Sequence, residues 1–168
     1  MSGGFEAGGL DMVRFIGEAP GRGPAAAVTV GDSARPILAA MFRLQVDREF
    51  AAAHAIVIGG EHEPLHGHHF RVRATVEGGG LDAEGLLCDF HLLERRLDEA
   101  ISPFAGRTLN GTPPFDRLSP TAESIARHLF EAVAPGLPQG VRLVEVAVGE
   151  APGCTAIYAP TSGMESTR

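Results

Sequence analysis

Alternation of apolar and polar side chains predicts two β-strands in the part of the chain that begins near residue 42. Residues 42–50 carry an apolar side chain at almost every second position, and a period of two places these positions on one face of a strand. Residues 67–77 repeat the pattern, with Phe70 at the start of the apolar face. Three glycines at 78–80 end this second strand. Both strands are therefore expected to bury one face and to expose the other.

Two amphipathic helices are predicted to follow these strands. Asp89 is a suitable N-cap for a helix whose leucines and isoleucine recur at helical spacing as far as Ile101. Ser119-Pro120-Thr121 provides a second helix start, with an apolar stripe over residues 125–133, and Pro135-Gly136 ends it. Each helix is expected to pack its apolar stripe against a sheet.

Two further strands complete the predicted fold. Valines alternate with other residues within 141–148, and a fourth strand is predicted over residues 154–158. The order β-β-α-α-β-β favours an antiparallel sheet with both helices on one face, which is an α+β architecture.

The two ends of the chain differ from this patterned region. Residues 1–38 contain eight glycines, three prolines and many alanines, without a sustained strand or helix period. Such a composition buries too little apolar surface to offset the loss of chain entropy. We therefore predict a poorly ordered extension over 1–38, one folded domain over 39–160 and a polar tail over 161–168.

Charge and composition restrict the classes of partner. The net charge is −7, and all 14 basic residues are arginines that lie scattered among acidic residues, whereas a nucleic-acid-binding surface needs a concentrated basic patch. The sequence has no apolar run of the ~18 residues that a membrane span requires, and no signal-peptide pattern. Two cysteines in 168 residues do not suggest a disulfide scaffold. We expect a cytoplasmic protein that binds neither nucleic acid nor a membrane.

Five of the seven histidines lie between residues 54 and 69 and form the most informative cluster. His66 and His68 are two residues apart on the second predicted strand, so their imidazoles share one face. His54 lies just past the first predicted strand, where it can reach the same face. Three imidazoles with an open fourth position describe a catalytic zinc site. A surface or core group of histidines without a metal is the alternative that the spacing leaves open.

Six short motifs occur in order over residues 41–160. They are Phe50-Ala51-Ala52-Ala53-His54, Leu65-His66-Gly67-His68, Asp89-Phe90, Leu109-Asn110, Pro120-Thr121-Ala122-Glu123, and Glu150 before Tyr158. Together they resemble the 6-pyruvoyl-tetrahydropterin synthase/6-carboxy-tetrahydropterin synthase family. The resemblance implies the tunnelling fold, in which the small sheets of several subunits pair into an oligomeric barrel, commonly in a homohexamer made of two trimers.

The resemblance also implies a cofactor and a substrate. Members of the family bind Zn²⁺ through three histidines, which correspond here to His54, His66 and His68. They hold a pterin through a late glutamate, which corresponds to Glu150, and Thr121 is expected to contribute to substrate binding. A carboxylate suits this role because it accepts two hydrogen bonds from the amino-pyrimidine edge of a pterin. The alternative for Glu150 is a solvated acid at a strand end.

The residues before the His-Gly-His motif favour one branch of the family. Synthases with a catalytic cysteine carry it four residues before the first of these histidines, where this chain has His62. Neither Cys88, which is expected to be buried, nor Cys154, at the start of the last strand, is placed to replace it. Another branch has a glutamate at the position of Glu63 and is associated with cleaving the side chain of dihydroneopterin to a 6-hydroxymethyl pterin.

This second branch suggests the catalytic residues. Glu63 is expected to be a general base, because partial burial beside zinc can raise the pKa of a carboxyl group toward neutrality. An ordinary loop acid is the alternative for Glu63. His62 is the other catalytic candidate, as a second base, and could instead be a fourth metal ligand or a solvated loop residue.

One feature of the family is missing from this chain. Family enzymes place an aspartate-histidine pair shortly before the Leu-Asn motif, but these positions hold Ala105 and Gly106, and neither side chain can transfer a proton. His128 lies on the second predicted helix and is expected at the surface. The side chains that could replace the pair are His91, Arg107 and His128.

These observations predict a zinc-dependent pterin synthase or lyase that acts on the side chain of 7,8-dihydroneopterin or its triphosphate, in folate- or queuosine-related biosynthesis. The alternative is a homologue that binds zinc and a pterin or purine without turnover, which the missing pair favours. A third interpretation is an oligomeric scaffold with a structural metal, which a fourth protein ligand on zinc would favour.

Overall fold

The structure is a computed structural model that describes residues 41–161. The extension predicted over 1–38 and all but the first residue of the tail predicted over 161–168 lie outside the described residues. The division of the chain into these three parts therefore stays a prediction.

An antiparallel sheet of four strands forms the centre of the described region. Its strands lie in the order β1-β4-β5-β6, and a separate two-stranded hairpin consists of β2 and β3. The bounds are β1 Phe42–His54, β2 Val57–Ile58, β3 Glu61–His62, β4 His66–Gly78, β5 Arg142–Ala151 and β6 Cys154–Tyr158. The predicted α+β order of four main strands and two helices is confirmed, and the small hairpin is an addition to it.

Two helices cover one face of this sheet, α1 Phe90–Ile101 and α2 Ala122–Val133. The Asp89 carboxylate caps α1 by accepting the backbone N–H of His91 at 2.9 Å. Thr121 caps α2, because its hydroxyl accepts the N–H of Ser124 at 3.3 Å. α1 packs against β1, and α2 packs against β5 and β6. Neither helix has the length and apolar character that a membrane-spanning helix requires.

The core lies between the helices and the apolar face of the sheet. Phe70 of β4, Leu93 and Leu97 of α1, and Ile125 and Leu129 of α2 are at most 1% exposed. Burying each such side chain contributes roughly 1.5–3 kcal/mol. The apolar faces of the strands and the apolar stripes of the helices that the sequence predicted therefore form the core.

The opposite face of the sheet is polar and is held by ion pairs between strands. Asp47 of β1 accepts two hydrogen bonds from Arg73 of β4, at 2.6 and 2.8 Å. Glu77 is buried between the guanidinium groups of Arg43 and Arg142. A buried carboxylate is stable only when it is paired, so these arginines from the neighbouring strands make its position possible.

One detail of the predicted strands is wrong. β1 does not end before the alanines but continues to His54, so that this histidine lies within the strand. Alanine is depleted in strands, so the sequence pattern predicts that the strand ends at Phe50. The pairing of residues 51–54 with residues 66–69 of β4 extends the strand in spite of that preference.

Candidate metal centre

The register of β1 and β4 brings three histidines together. His54 pairs directly with His66, and His68 follows two residues later on the same face of β4. The ring centroids are 4.8 Å apart for His54 and His66, 5.1 Å for His54 and His68, and 4.8 Å for His66 and His68. The structure thus brings together the three histidines that the sequence predicted as metal ligands.

Two neighbours on the same face shape the space around these rings. Ala52 is the strand partner of His68, and its small side chain leaves room for the imidazole. Phe70 is fully buried, with its ring centroid 5.4 Å from that of His54 and 5.5 Å from that of His68. An apolar wall therefore borders the histidines on the side of the core.

Backbone carbonyl groups fix the orientation of two of the imidazoles. His54 Nδ1 lies 2.8 Å from the oxygen of Pro120, and His66 Nδ1 lies 2.7 Å from the oxygen of Pro64. A carbonyl oxygen only accepts hydrogen bonds, so in each case Nδ1–H is the donor. In the neutral ring this tautomer leaves the lone pair on Nε2, which is the arrangement common in metal-binding histidines.

The inward-facing nitrogens have no hydrogen-bond partner in the described part of the chain. Nε2 of His54 and Nε2 of His68 are both buried and unpaired. Leaving a buried polar atom unsatisfied costs about 1–3 kcal/mol. A cation such as Zn²⁺ fits this donor set, because neutral imidazole nitrogen is one of its usual ligands.

The carboxylate of Glu150 reaches the same point from β5. Its Oε1 lies 3.0 Å from His54 Nε2 and 3.1 Å from His68 Nε2. One ligand atom from each of Glu150 and the three histidines lies within 4.8 Å of every other. His54 is fully buried, whereas the Glu150 side chain is 24% exposed. Glu150 also lines a cavity of about 520 Å³ that extends over the polar face of the sheet.

A loop along the edge of β1 holds the end of this strand in place. The N–H of Gly106 donates to the Ala51 carbonyl at 2.7 Å, and the N–H of Ala53 donates to the Arg107 carbonyl at 2.9 Å. The Asn110 side chain accepts the N–H of Ala55 at 2.8 Å and donates to the carbonyl of the same residue at 2.7 Å. The residues on both sides of His54 are therefore tied to this loop.

The structure places the remaining predicted site residues outside the four-residue cluster. Glu63 is half-buried in the connection between β3 and β4, where its N–H donates to the Ile56 carbonyl at 2.9 Å. His62 is exposed in β3, and Thr121 is the cap of α2. The catalytic and substrate-binding roles expected for these three residues stay predictions.

The candidates for the missing aspartate-histidine pair have different surroundings. His91 is exposed, with Nδ1 3.0 Å from Asp89 Oδ1. Arg107 lines a second cavity of about 400 Å³ next to His68. The expectation that His128 lies at the surface is wrong. It is half-buried because its ring packs against two phenylalanines of the core, and this burial lowers its pKa.

The two cysteines lie where the sequence predicted. Cys88 is buried, and burial raises the pKa of its thiol. Cys154 is exposed at the start of β6. Neither belongs to the cluster of side chains around His54.

Sequence reasoning missed the groups that orient the ligands. The carbonyl groups of Pro64 and Pro120 and the side chain of Asn110 hold His66 and His54 in place. Asn110 and Pro120 do belong to the motifs on which the resemblance rests, and these motifs were the only sign in the sequence that the two residues lie near the site. A backbone acceptor has no side-chain pattern, so its role required the structure.

Comparison with known proteins agrees with this geometry. The sequence model of 6-pyruvoyl tetrahydropterin synthase matches residues 43–161. A Bacillus subtilis protein named 6-carboxy-5,6,7,8-tetrahydropterin synthase is 31% identical over 131 residues, which cover 73% of this chain and 88% of the relative. A Pyrococcus furiosus protein named dihydroneopterin monophosphate aldolase is 35% identical over 101 residues, which cover 60% of this chain and 82% of the relative.

Comparison with solved structures supports the same fold. The structure of Caenorhabditis elegans 6-pyruvoyl tetrahydropterin synthase superposes with a TM-score of 0.63 at 18% identity, covering 73% of this chain and 97% of that one. The predicted tunnelling fold is thereby confirmed at the level of the single chain. The chain belongs to the 6-pyruvoyl tetrahydropterin synthase family, whose members act on pterins.

Proposed function

We propose that this protein is a zinc-dependent enzyme that acts on the side chain of 7,8-dihydroneopterin or its triphosphate. The observation that carries the proposal is the convergence of three imidazoles with the Glu150 carboxylate beside them. His54, His66 and His68 would hold the metal. When bound, zinc would act as a Lewis acid toward the hydroxyl groups of the side chain.

Glu150 is proposed to bind the pterin ring. Its two carboxylate oxygens can accept hydrogen bonds from the amino group and the ring N–H of the amino-pyrimidine edge. The Glu150 side chain is 24% exposed, which supports access by a ligand.

Glu63 is proposed as the general base. It is half-buried, and it immediately precedes Pro64, whose carbonyl group orients the ligand His66. For cleavage, its carboxylate would take the proton of a side-chain hydroxyl, the adjacent carbon–carbon bond would break, and the proton would return to the carbon that stays on the ring. The aldolase name of the Pyrococcus furiosus relative supports this class of reaction.

A homo-oligomer, such as a hexamer of two trimers, is part of the proposal. β1 and β6 are the edge strands of the four-stranded sheet. The loop at 106–107 already hydrogen-bonds to Ala51 and Ala53 of β1, so pairing with another chain would use the part of β1 before Ala51. Ile157 on β6 is 61% exposed. Pairing between β1 and β6 of neighbouring copies would extend the sheet toward a barrel.

A second candidate function is binding without turnover. The loop beside His54 has Ala105 and Gly106 where the family has an aspartate-histidine pair, and neither residue can move a proton. A homologue of this kind would keep the metal and the pterin or purine pocket. The structural-metal interpretation is less well supported, because the Glu150 side chain beside the histidines is partly exposed.

Product analysis of the zinc-loaded protein tests these proposals. The full chain is incubated with 7,8-dihydroneopterin or its triphosphate, with and without a chelator, and the products are identified by mass spectrometry. We expect a pterin with a shortened or altered side chain that disappears with the chelator. Calorimetry on the same sample that detects binding without product would favour the second candidate, and absence of both would refute each.

Glu63→Ala tests the proposed base. Because a general base contributes roughly 10²–10⁴-fold to a rate, the variant is expected to keep its zinc and to lose activity by such a factor. Glu61→Ala is the matched control, since Glu61 is an exposed acid in the adjacent β3. A zinc-loaded Glu63→Ala protein with the wild-type rate would contradict the role of Glu63.

A further inference from the structure

Three aromatic rings form a cluster between α2 and the loop over residues 104–115. The ring centroids of Phe104 and Phe115 are 5.2 Å apart, and the His128 centroid lies 5.4 Å from the first and 5.6 Å from the second. Both phenylalanines are at most 2% exposed, whereas His128 is half-buried. Because Phe104 and Phe115 are the first and last residues of the loop, His128 of α2 packs against both of its ends.

The same loop holds the end of β1, which carries the candidate ligand His54. The Phe104 carbonyl accepts the N–H of Arg107 at 3.1 Å, and the Arg107 carbonyl in turn accepts the N–H of Ala53 at 2.9 Å. The N–H of Gly106 adds a bond to the strand at 2.7 Å. Ala53 directly precedes His54, so two hydrogen bonds connect the aromatic cluster to the backbone beside this ligand.

His128 is the titratable member of the cluster. Burial is the main cause that lowers its pKa, and Glu131, one turn further along α2, opposes it. The Glu131 carboxylate accepts a hydrogen bond from Arg127 at 2.8 Å. Arg107 is the one charged residue in the loop, and Asp116, which follows the loop, is paired with the arginine after it. The loop therefore contains no acidic side chain that would stabilise a proton on His128.

Protonation of His128 changes the balance between a closed and an open loop. Burial penalises the charged form of an imidazole, so the ring binds a proton more readily when it has turned toward water. By linkage, acid therefore favours the arrangement in which His128 has left the two phenylalanines. Phe104 and Phe115 then lose the contact that they share, and the backbone bonds at the start of the loop lose their support.

We propose that His128 is a positioning residue of the metal centre. Its neutral ring fastens both ends of the loop 104–115, and its protonation releases the loop from β1 and weakens metal binding through His54. The effect lies below the ordinary histidine pKa of about 6.5. The release of the loop depends on the fold alone, whereas its effect on the metal rests on the proposed function.

Amide hydrogen exchange tests the release of the loop. Protection factors are measured by NMR on the full chain without added metal, at about pH 7.5 and about pH 5. The reference is the N–H of Asp82, which donates to the Leu86 carbonyl at 2.8 Å in the loop between β4 and α1. We expect the protection of Ala53 and Gly106 to fall at least about threefold more than that of Asp82. An equal fall at all three amides would overturn the proposal.

Two variants test whether His128 is the group responsible. His128→Phe and His128→Tyr keep an aromatic ring in the cluster but bind no proton in this pH range. We expect the protection of Ala53 in both variants to change by less than about twofold between the two pH values, relative to the reference amide. His91→Gln removes an exposed histidine from α1 and should keep the wild-type fall. Circular dichroism shows that each variant is folded. The full wild-type fall in His128→Phe and His128→Tyr would overturn the role of His128.

Zinc affinity tests the effect on the metal centre. It is measured by competition with a chelator calibrated at each pH, for the wild type, His128→Phe and His91→Gln. Every site made of histidines loses zinc in acid, because its ligands must be deprotonated. The informative quantity is therefore the difference between proteins, and we expect the wild type and His91→Gln to lose at least about threefold more affinity than His128→Phe.

The two parts of the proposal fail separately. Equal losses of zinc affinity in the wild type and His128→Phe would overturn the effect on the metal, even where exchange shows that the loop is released. Absence of zinc binding by the wild type at either pH would refute the proposed function and the metal effect together. The exchange measurements would then still decide the release of the loop, because they need no metal.

Discussion

His54, the last residue of β1, is joined to Pro120, the residue before the cap of α2, by a hydrogen bond of 2.8 Å between Nδ1 and the carbonyl oxygen. The bond connects the sheet to a helix at the candidate metal centre. Because the acceptor is a backbone group, the start of α2 determines the direction in which His54 presents its other nitrogen. The site therefore depends on how the helix is anchored as well as on the strands that carry the ligands.

The tautomers of the ligands are a direct prediction from this arrangement. We expect His54 and His66 to carry their protons on Nδ1, because each donates to a carbonyl group. Nitrogen-15 NMR of the zinc-loaded protein distinguishes the two ring nitrogens of each histidine. His69, which is exposed on the opposite face of β4, is the comparison residue and should show no such fixed proton. A proton on Nε2 of His54 in the zinc-loaded protein would contradict the proposed coordination.

Ala52 is predicted to be essential for the space that His68 needs. Ala52→Leu places a larger side chain opposite His68, and overpacking of this kind costs about 1–3 kcal/mol. We expect bound zinc, measured by metal analysis, to fall well below that of the wild type, with a lower midpoint of urea unfolding. Ala51→Leu is the control, because Ala51 is exposed on the other face. Equal zinc content in both variants would show that Ala52 does not limit the site.

Asn110 is predicted to stabilise the end of β1. Asn110→Ala removes two hydrogen bonds to Ala55, each of which contributes about 0.5–1.5 kcal/mol. We expect the free energy of unfolding in urea to fall by about 1–3 kcal/mol, with faster loss of zinc to a chelator. Thr112→Val removes a hydrogen bond within the same loop and should not accelerate zinc loss. A similar acceleration in both variants would assign the effect to the loop as a whole.

His128 is predicted to make stability dependent on pH. Burial beside Phe104 and Phe115 lowers its pKa, so the unfolded chain binds a proton more readily than the folded one. This contribution to stability is fully present above the unfolded pKa of about 6.5 and is lost as the pH falls through the folded pKa. We expect His128→Phe to reduce the decrease in urea midpoint between about pH 7 and pH 5.

The control for this pH effect is a histidine in a different environment. His62→Gln removes an exposed histidine from β3, and we expect its decrease in urea midpoint to equal that of the wild type. If His128→Phe also kept the full decrease, groups other than His128 would be responsible for the acid sensitivity.

Local patterns were sufficient to predict the helices. Asp89 and Thr121 cap the helices because each accepts an N–H two or three residues further along the chain, and a cap of this kind is visible in the sequence. The alternating strands were predicted for the same reason. Three metal ligands could be proposed because the His-x-His spacing and strand geometry are also local.

Features that depend on distant residues could not be predicted in the same way. The strand through His54 exists because of its pairing with β4, and the burial of Glu77 depends on Arg43 and Arg142 from two other strands. The missed hairpin is different, because Gly59 and Gly60, both with positive φ, form the kind of two-residue turn that hairpins favour. The sequence contained that signal.

The order in which the ligands occur along the chain has a consequence for folding. His54 lies on β1, and His66 and His68 lie on its neighbour β4, whereas Glu150 lies on β5, which follows α1 and α2 in the chain. Contacts that close short loops lose less chain entropy than those that close long loops. A growing polypeptide can therefore bring the three histidines together before β5, which carries the Glu150 carboxylate, has been synthesised.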